Sequence, residues 1–506
     1  MVAWIVGGLV ALGAVQGEAR GVVYDDANGN GVRDRGERGL GAVLVSNGVD
    51  FVRTDSQGVW KLPSSDEMIF FVIKPRGWIT PVDKQQLPKF YYVHKPNGSP
   101  KLKFGGVAPT GPLPASIDFA LRRNREPDRF KALFFGDTQS RDLRELKYLT
   151  DTLITRIDKE DAKFGVTLGD ILFDDLSIFQ QHNEAIALIG IPWYNVLGNH
   201  DIDFDAPHDD QSDDTFERFY GPSYYSFDYG KVHFVVLDDV WWMPADRRYK
   251  ASIGPKQLAW LKKDLEFVPP DRLVVLMMHI PLNEVEEKRE ILGLLSQRPY
   301  SLSVAAHTHF QEHRFLGKDD GFTREKPHHH VVNVTTCGSW WTGRPDEFGV
   351  PHSTMRDGAP RGHSVFTFDG NTYTIAYRAT GRAPDYQMNI FAPDVVKAGD
   401  LKGTEILVNV FAGSEKSSTE FRLGAEGKWT PMRRVPMKDP AYVKMVTEAA
   451  QLQRPYRPLP GAIDSPHIWR GLLPATDLRG VQPIHVRSRD MFGNVVVATQ
   501  AIRIDP

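Results

Sequence analysis

Five short apolar runs in the middle of the chain each end in residues that bind metals. "ALFFGDTQ" ends in Asp137 and Gln139, and "GVTLGDILFDD" ends in Asp170 with Asp174 and Asp175 beyond. "WYNVLGNHD" ends in Asn199 and His200, "LVVLMMHIP" in His279, and "SLSVAAHTHF" in His307 and His309. Between the runs, apolar residues recur at helical spacing: Leu146, Leu149, Leu153 and Ile157, then Leu258, Leu261 and Leu265 behind Pro255. Strands alternating with amphipathic helices predict an α/β layered domain over residues 130–385. In such a sheet the carboxyl ends of the strands are where ligands bind. One such motif alone is more often a turn or a hydrogen-bonded loop residue. Five in order carry more weight, because that many carboxylates and imidazoles in one crevice would leave charge uncompensated without cations. Mixed nitrogen and oxygen donors of this number suit two first-row divalent ions.

The rest of the chain reads differently. At 506 residues it is too long for one hydrophobic core. Residues 20–122 hold short β-branched and aromatic runs broken by Gly, Pro and Asn, and read as a small β domain. "RRNREPDR" follows as a charged linker, and residues 386–506 return to strand signals that predict a C-terminal β-sandwich. A formal net charge of −3 carries no signal for nucleic acid or an anionic membrane. The single Cys337 excludes an intramolecular disulfide.

The first residues form an apolar run from Val2 to Val15 that ends in small residues, without Lys or Arg before it. Residues 1–19 therefore read as a signal peptide with a weak n-region, cut after Gly17 or Ala19, which places the protein in the periplasm or outside the cell. No later stretch approaches the roughly 18 apolar residues of a spanning helix, so no other transmembrane segment is expected.

"DANGNGVRDRGE" matches a calcium-loop pattern, with Asp26, Asn28, Asn30, Asp34 and Glu37 as donors and Gly31 at the sharp turn. Strand signals follow where an EF-hand would have a helix, so bound Ca2+ would stiffen a β domain. "PHHH" at 327–330 leads into a strand, where alternation turns His329 away from His328 and His330, and it is read as packing. Trp340 and Trp341 read as core, with one of them a candidate for a cleft wall. His467, Trp469 and Arg470 read as packing and surface charge.

The ordered blocks "GDTQ", "GDILFDD", "GNHD", "MMH" and "AHTH" resemble the calcineurin-like metallophosphoesterase superfamily, whose pattern is DxH, GDxxD, GNH[DE], H and GHxH. "FYGPSYYSFDYGKVHFVVLDD" and "CGSWWTG" are similar to an exported bacterial branch with extra N- and C-terminal β domains. The resemblance implies a layered β-sandwich core flanked by helices. It also implies one metal on Asp137, Gln139, Asp170 and His309, and a second on Asp170, Asn199, His279 and His307. His200 would be the general acid, oriented by Asp174, with a hydroxide between the metals as nucleophile toward a phosphoester. Gln139 departs from the family's His and makes the first site a weaker one, of undetermined metal (Mn, Fe, Zn or Mg type). Ala306 stands where the family has Gly, and Asp174 lies one residue beyond the usual acid. The expected substrate is a phosphorylated small molecule, nucleotide or lipid. The alternative is a calcium-stabilised surface binding protein whose phosphoesterase core has degenerated.

Overall fold

A computed structural model describes residues 17–451 and 456–506, with no side-chain description at 450–451. Most of the leader lies outside the described residues. Its last three positions, Gly17 to Ala19, begin the strand Gly17–Asp25, in which Ala19 is buried.

The middle of the chain folds into two packed sheets. The first has five strands in the order Trp193–Val196, Ala162–Leu168, Arg129–Phe135, Gly362–Asp369, Thr372–Ala379, the first three of them parallel. The second has six, in the order Tyr225–Tyr229, Val232–Val236, Leu273–Met277, Ser301–Ala305, His328–Val332, Glu312–Leu316. Its four middle strands are parallel. Leu273–Met277 is buried at every position, as expected of a parallel strand covered on both faces. The predicted helices form at Leu143–Thr152 and Gly254–Glu266, the latter with Pro at its first turn. The class is α/β, rich in sheet, as expected.

Residues 17–123 form two four-stranded sheets that do not stand apart from the middle. Phe51 and Phe71 pack against Trp260 of the Gly254–Glu266 helix, and one continuous apolar core runs through both regions. The expected linker contributes to this union. Glu126 is buried, its Oε1 is 2.6 Å from Lys74 Nζ, and its Oε2 accepts from the backbone of Gly77 and Gly230. A charged stretch read from composition thus contains a desolvated ion pair, a contact that only folding creates.

The described residues after 386 form two further sheets, of four and five strands, around their own core, and a two-stranded ribbon of Met437–Lys438 and Asp464–Ser465. They also contain a helix, Pro440–Gln451, where only strands were expected. Among the described residues no helix is long and apolar enough to cross a membrane.

Candidate metal centre

Asp137, Gln139, Asp170 and Asn199 leave the carboxyl ends of the first sheet's parallel strands, and His279, His307 and His309 leave those of the second. The two sheets thereby bring all seven to one crevice. Their backbones are unusual. Asp137, Gln139, Asp170, His307 and His309 all have φ between 32° and 69°, the left-handed region that costs a non-glycine residue about 1–3 kcal/mol. Such conformations persist where surrounding contacts over-determine them. Asp201 accepts from the backbone of Ile171, Leu172 and Gly198, tying two ligand loops together, and Asp239 accepts from His279 and Ile280. Gly198 has no room for a side chain, since a Cβ there would lie 1.9 Å from the Asp170 nitrogen.

Distances in the crevice are short. His279 Nε2 lies 3.2 Å from Asp170 Oδ1, 3.1 Å from Asn199 Oδ1 and 3.1 Å from His307 Nδ1. His279 Nδ1 donates to the Leu168 carbonyl, and His309 Nδ1 to that of Gly338, which leaves Nε2 as the ring nitrogen that each could turn to a cation. Gln139 Nε2 donates to Asp170 Oδ2 at 2.9 Å.

Charge and burial fit this set to cations. Asp137 Oδ1 is buried without a hydrogen-bond partner among the described residues. The ligand atoms of Asp170, His279 and His307 lie within 4.8 Å of one another. Burial disfavours the charged form of His279, yet Asp170, with Asp137 and Asp239 behind it, pushes its pKa up to about 10. Carboxylate charge is thus in surplus around His279, and this is charge that a divalent ion would neutralise. Burial holds His307 down to about 4 and His309 to about 3, so both rings are neutral and ready to ligate.

Around this floor lies a cavity of about 410 Å³. His200 lines it, and its Nδ1 is 2.6 Å from Asp174 Oδ1. Phe173 stacks on the His200 ring at 4.3 Å, and the Arg141 guanidinium lies 3.9 Å over Phe173. Trp340 lies 3.8 Å from the His309 ring and lines the cleft, whereas Trp341 is buried core. Sequence reasoning missed Tyr249, Glu284, Thr308, Phe310 and Arg356, which form the rest of the wall, and Cys337, whose Sγ lies 3.7 Å from Gln139 Oε1. Tyr249, Glu284, Arg356 and Cys337 sit in no block with ligand spacing, and Thr308 and Phe310 lie inside the "AHTHF" block without being ligand types, so no local signal marked them.

The remaining sequence candidates lie elsewhere. His328 and His330 hydrogen-bond to Ser303, and His329, turned to the opposite face, bonds to His313 and Tyr373. In the 26–37 loop, Asp26 is buried and accepts from the backbone of Gly29, Asn30 and Gly31. The Asn28 and Asn30 amides both reach Asp34 Oδ2, and Glu37 accepts from Ala27 and Asp34. Hydrogen bonds within the loop thus join all five residues named from sequence, which lie far from the crevice in sequence.

Three family models match the chain in succession: the N terminal of calcineurin-like phosphoesterase at residues 27–106, calcineurin-like phosphoesterase at 130–311, and the C terminal of calcineurin-like phosphoesterase at 330–495. No curated protein matches. Among solved structures, the chain is similar to purple acid phosphatase PPD1 from yellow lupin (Lupinus luteus) seeds, with 13% identity and a TM-score of 0.38. That match covers 67% of this chain and 66% of the phosphatase. A superoxide reductase (neelaredoxin) from Ignicoccus hospitalis is similar over 25% of this chain and 89% of its own, with 13% identity and a TM-score of 0.14.

Proposed function

Because the chain belongs to the calcineurin-like phosphoesterase family, with that family's N- and C-terminal extension domains, we propose that it hydrolyses phosphoesters at a dinuclear metal centre with His200 as the proton donor. The observation that carries this reading is the convergence of Asp170, His279 and His307 beside a His200 already held by Asp174. Asp137, Gln139, Asp170 and His309 would hold one ion, and Asp170, Asn199, His279 and His307 the other. Bound there, the ions acidify water and neutralise the phosphoryl oxygens.

The protein's own groups supply the rest. Asp174 occupies His200 Nδ1, so Nε2 is the atom left to deliver a proton to the departing oxygen. Burial disfavours the charged His200 ring, while Asp170 and then Asp174 raise its pKa; with Asp170 engaged by the ions, the Asp174 contact is the one that would favour the protonated form an acid needs. Phe173 against one face of the ring limits its rotation. Tyr249, Phe310 and Trp340 provide apolar wall for an organic leaving group.

The test is hydrolysis of p-nitrophenyl phosphate and bis-p-nitrophenyl phosphate by the mature protein, with added manganese and after chelation. Turnover that disappears on chelation and returns with metal is expected. Two bound ions without turnover of either ester would overturn the reading.

Two further parts of the proposal concern the N-terminal region. The 26–37 loop binds Ca2+ through Asp26, Asn28, Asn30, Asp34 and Glu37, the reading supported by the loop pattern of the sequence and the hydrogen bonds that join these residues. A calcium-dependent rise in melting temperature, lost in Glu37→Gln, is the expected result. The leader directs export, so the mature protein from a periplasmic or secreted fraction should begin after Gly17 or Ala19.

A further inference from the structure

We propose that the C-terminal domain is part of the substrate site: it holds Arg356 at the cleft, and Arg356 selects substrates that carry a second negative charge, phosphomonoester dianions above diester monoanions. This rests on the phosphoesterase reading above.

Among the described residues, Arg356 is the one lysine or arginine that lines the cavity. Among the described residues no carboxylate pairs with it, in contrast to Arg314 and Arg457, which face Glu312 and Glu145. Its backbone is pinned from two sides. Its nitrogen donates to the carbonyl of His309, a candidate metal ligand, at 3.3 Å, and its carbonyl accepts from Ile463. Its Nε donates to the Gly461 carbonyl at 3.3 Å, which fixes the guanidinium and leaves its two terminal nitrogens for an anion.

Asp357, the next residue, anchors this arrangement. It is fully buried, and its Oδ2 accepts from Gln311, two residues past His309, at 2.8 Å. The same oxygen meets Nε2 of His467, in the turn before the C-terminal strand Ile468–Leu472, at 3.0 Å. His467 Nδ1 lies 2.7 Å from Asn409 Oδ1, and Asn409 Nδ2 donates to the Asp357 carbonyl and to Asp439. Gly358 completes the fit, since its φ of 84° and a Cβ position 2.2 Å from the Asp439 carboxyl carbon admit no side chain. A fixed guanidinium gains more from a dianion than from a monoanion, because the ions offset only part of the dianion's charge.

The test uses the metal-loaded full chain. Arg356→Ala should raise KM for p-nitrophenyl phosphate about tenfold or more while changing KM for bis-p-nitrophenyl phosphate by less than about threefold. It should also weaken binding of inorganic phosphate, measured by calorimetry, by a similar factor. His467→Ala should reproduce the monoester KM effect in part, with metal content unchanged. His467→Gln, which keeps a donor toward Asp357, should recover most of it. Equal loss on both esters, or unchanged phosphate affinity in Arg356→Ala while the wild type turns over, overturns this proposal alone. A wild type that neither binds phosphate nor hydrolyses either ester overturns the phosphoesterase reading and this one with it.

Discussion

His200 Nδ1 and Asp174 Oδ1 meet at 2.6 Å although they leave two different strand ends, and Asp170, four residues before Asp174, accepts from the His200 backbone nitrogen at 2.9 Å. One loop thus supplies both a candidate metal bridge and the group that orients the acid. If His200 delivers the proton, His200→Ala should lower turnover of an alkyl phosphate by roughly 10² to 10⁴ while affecting a nitrophenyl ester far less. Metal content should be retained. Equal losses on the two esters would remove the role, and Asp174→Asn should show a smaller loss of the same pattern.

Asp170 contacts Gln139, His279 and the His200 backbone at once. Asp170→Asn halves its donor capacity and removes its charge, so elemental analysis should find most of both metals gone. Retention of two ions would show that each site has its ligands without it.

Gln139 presents an amide where the family's pattern has an imidazole, and its nitrogen is spent on Asp170. Gln139→His should tighten retention of the more weakly held ion by about tenfold or more, read as resistance to a graded chelator. Unchanged retention would mean that Gln139 lies outside the coordination sphere.

His233 is buried between Asp228 at 2.8 Å and Asp264 at 2.7 Å. Burial opposes its charge, but Asp264 and Asp228 prevail and push its pKa up to about 9, against an unfolded value near 6.5. The folded state therefore holds a proton that the unfolded state releases. The contribution is fully present below about pH 6.5 and is lost as pH rises to about 9, with a slope up to about 1.4 kcal/mol per pH unit. Denaturant titrations should show His233→Gln far less stable than wild type at pH 6, with the gap closing toward pH 9.5. A gap independent of pH would mean that the ring stays neutral.

The seven candidate metal ligands, His200 and the α/β class could be read from the chain because each signal is local. An apolar strand followed at once by Asp, Asn or His is spelled within ten residues, and a parallel sheet aligns all such ends at one edge. Two sheets meeting face to face then do the gathering without further instruction. What only the tertiary structure decided lies in groups whose partners are distant in sequence. Glu126 read as linker until folding put Lys74 against it, and His467 read as packing until a C-terminal turn set it on Asp357. Tyr249, Glu284 and Arg356 reach the cleft from a hairpin, a short turn and a long loop, none of which has a periodicity to read. Strand ends carry the reactive floor because hydrogen-bond registers place them. The walls that choose a substrate come from loops, whose position is determined by what they pack against.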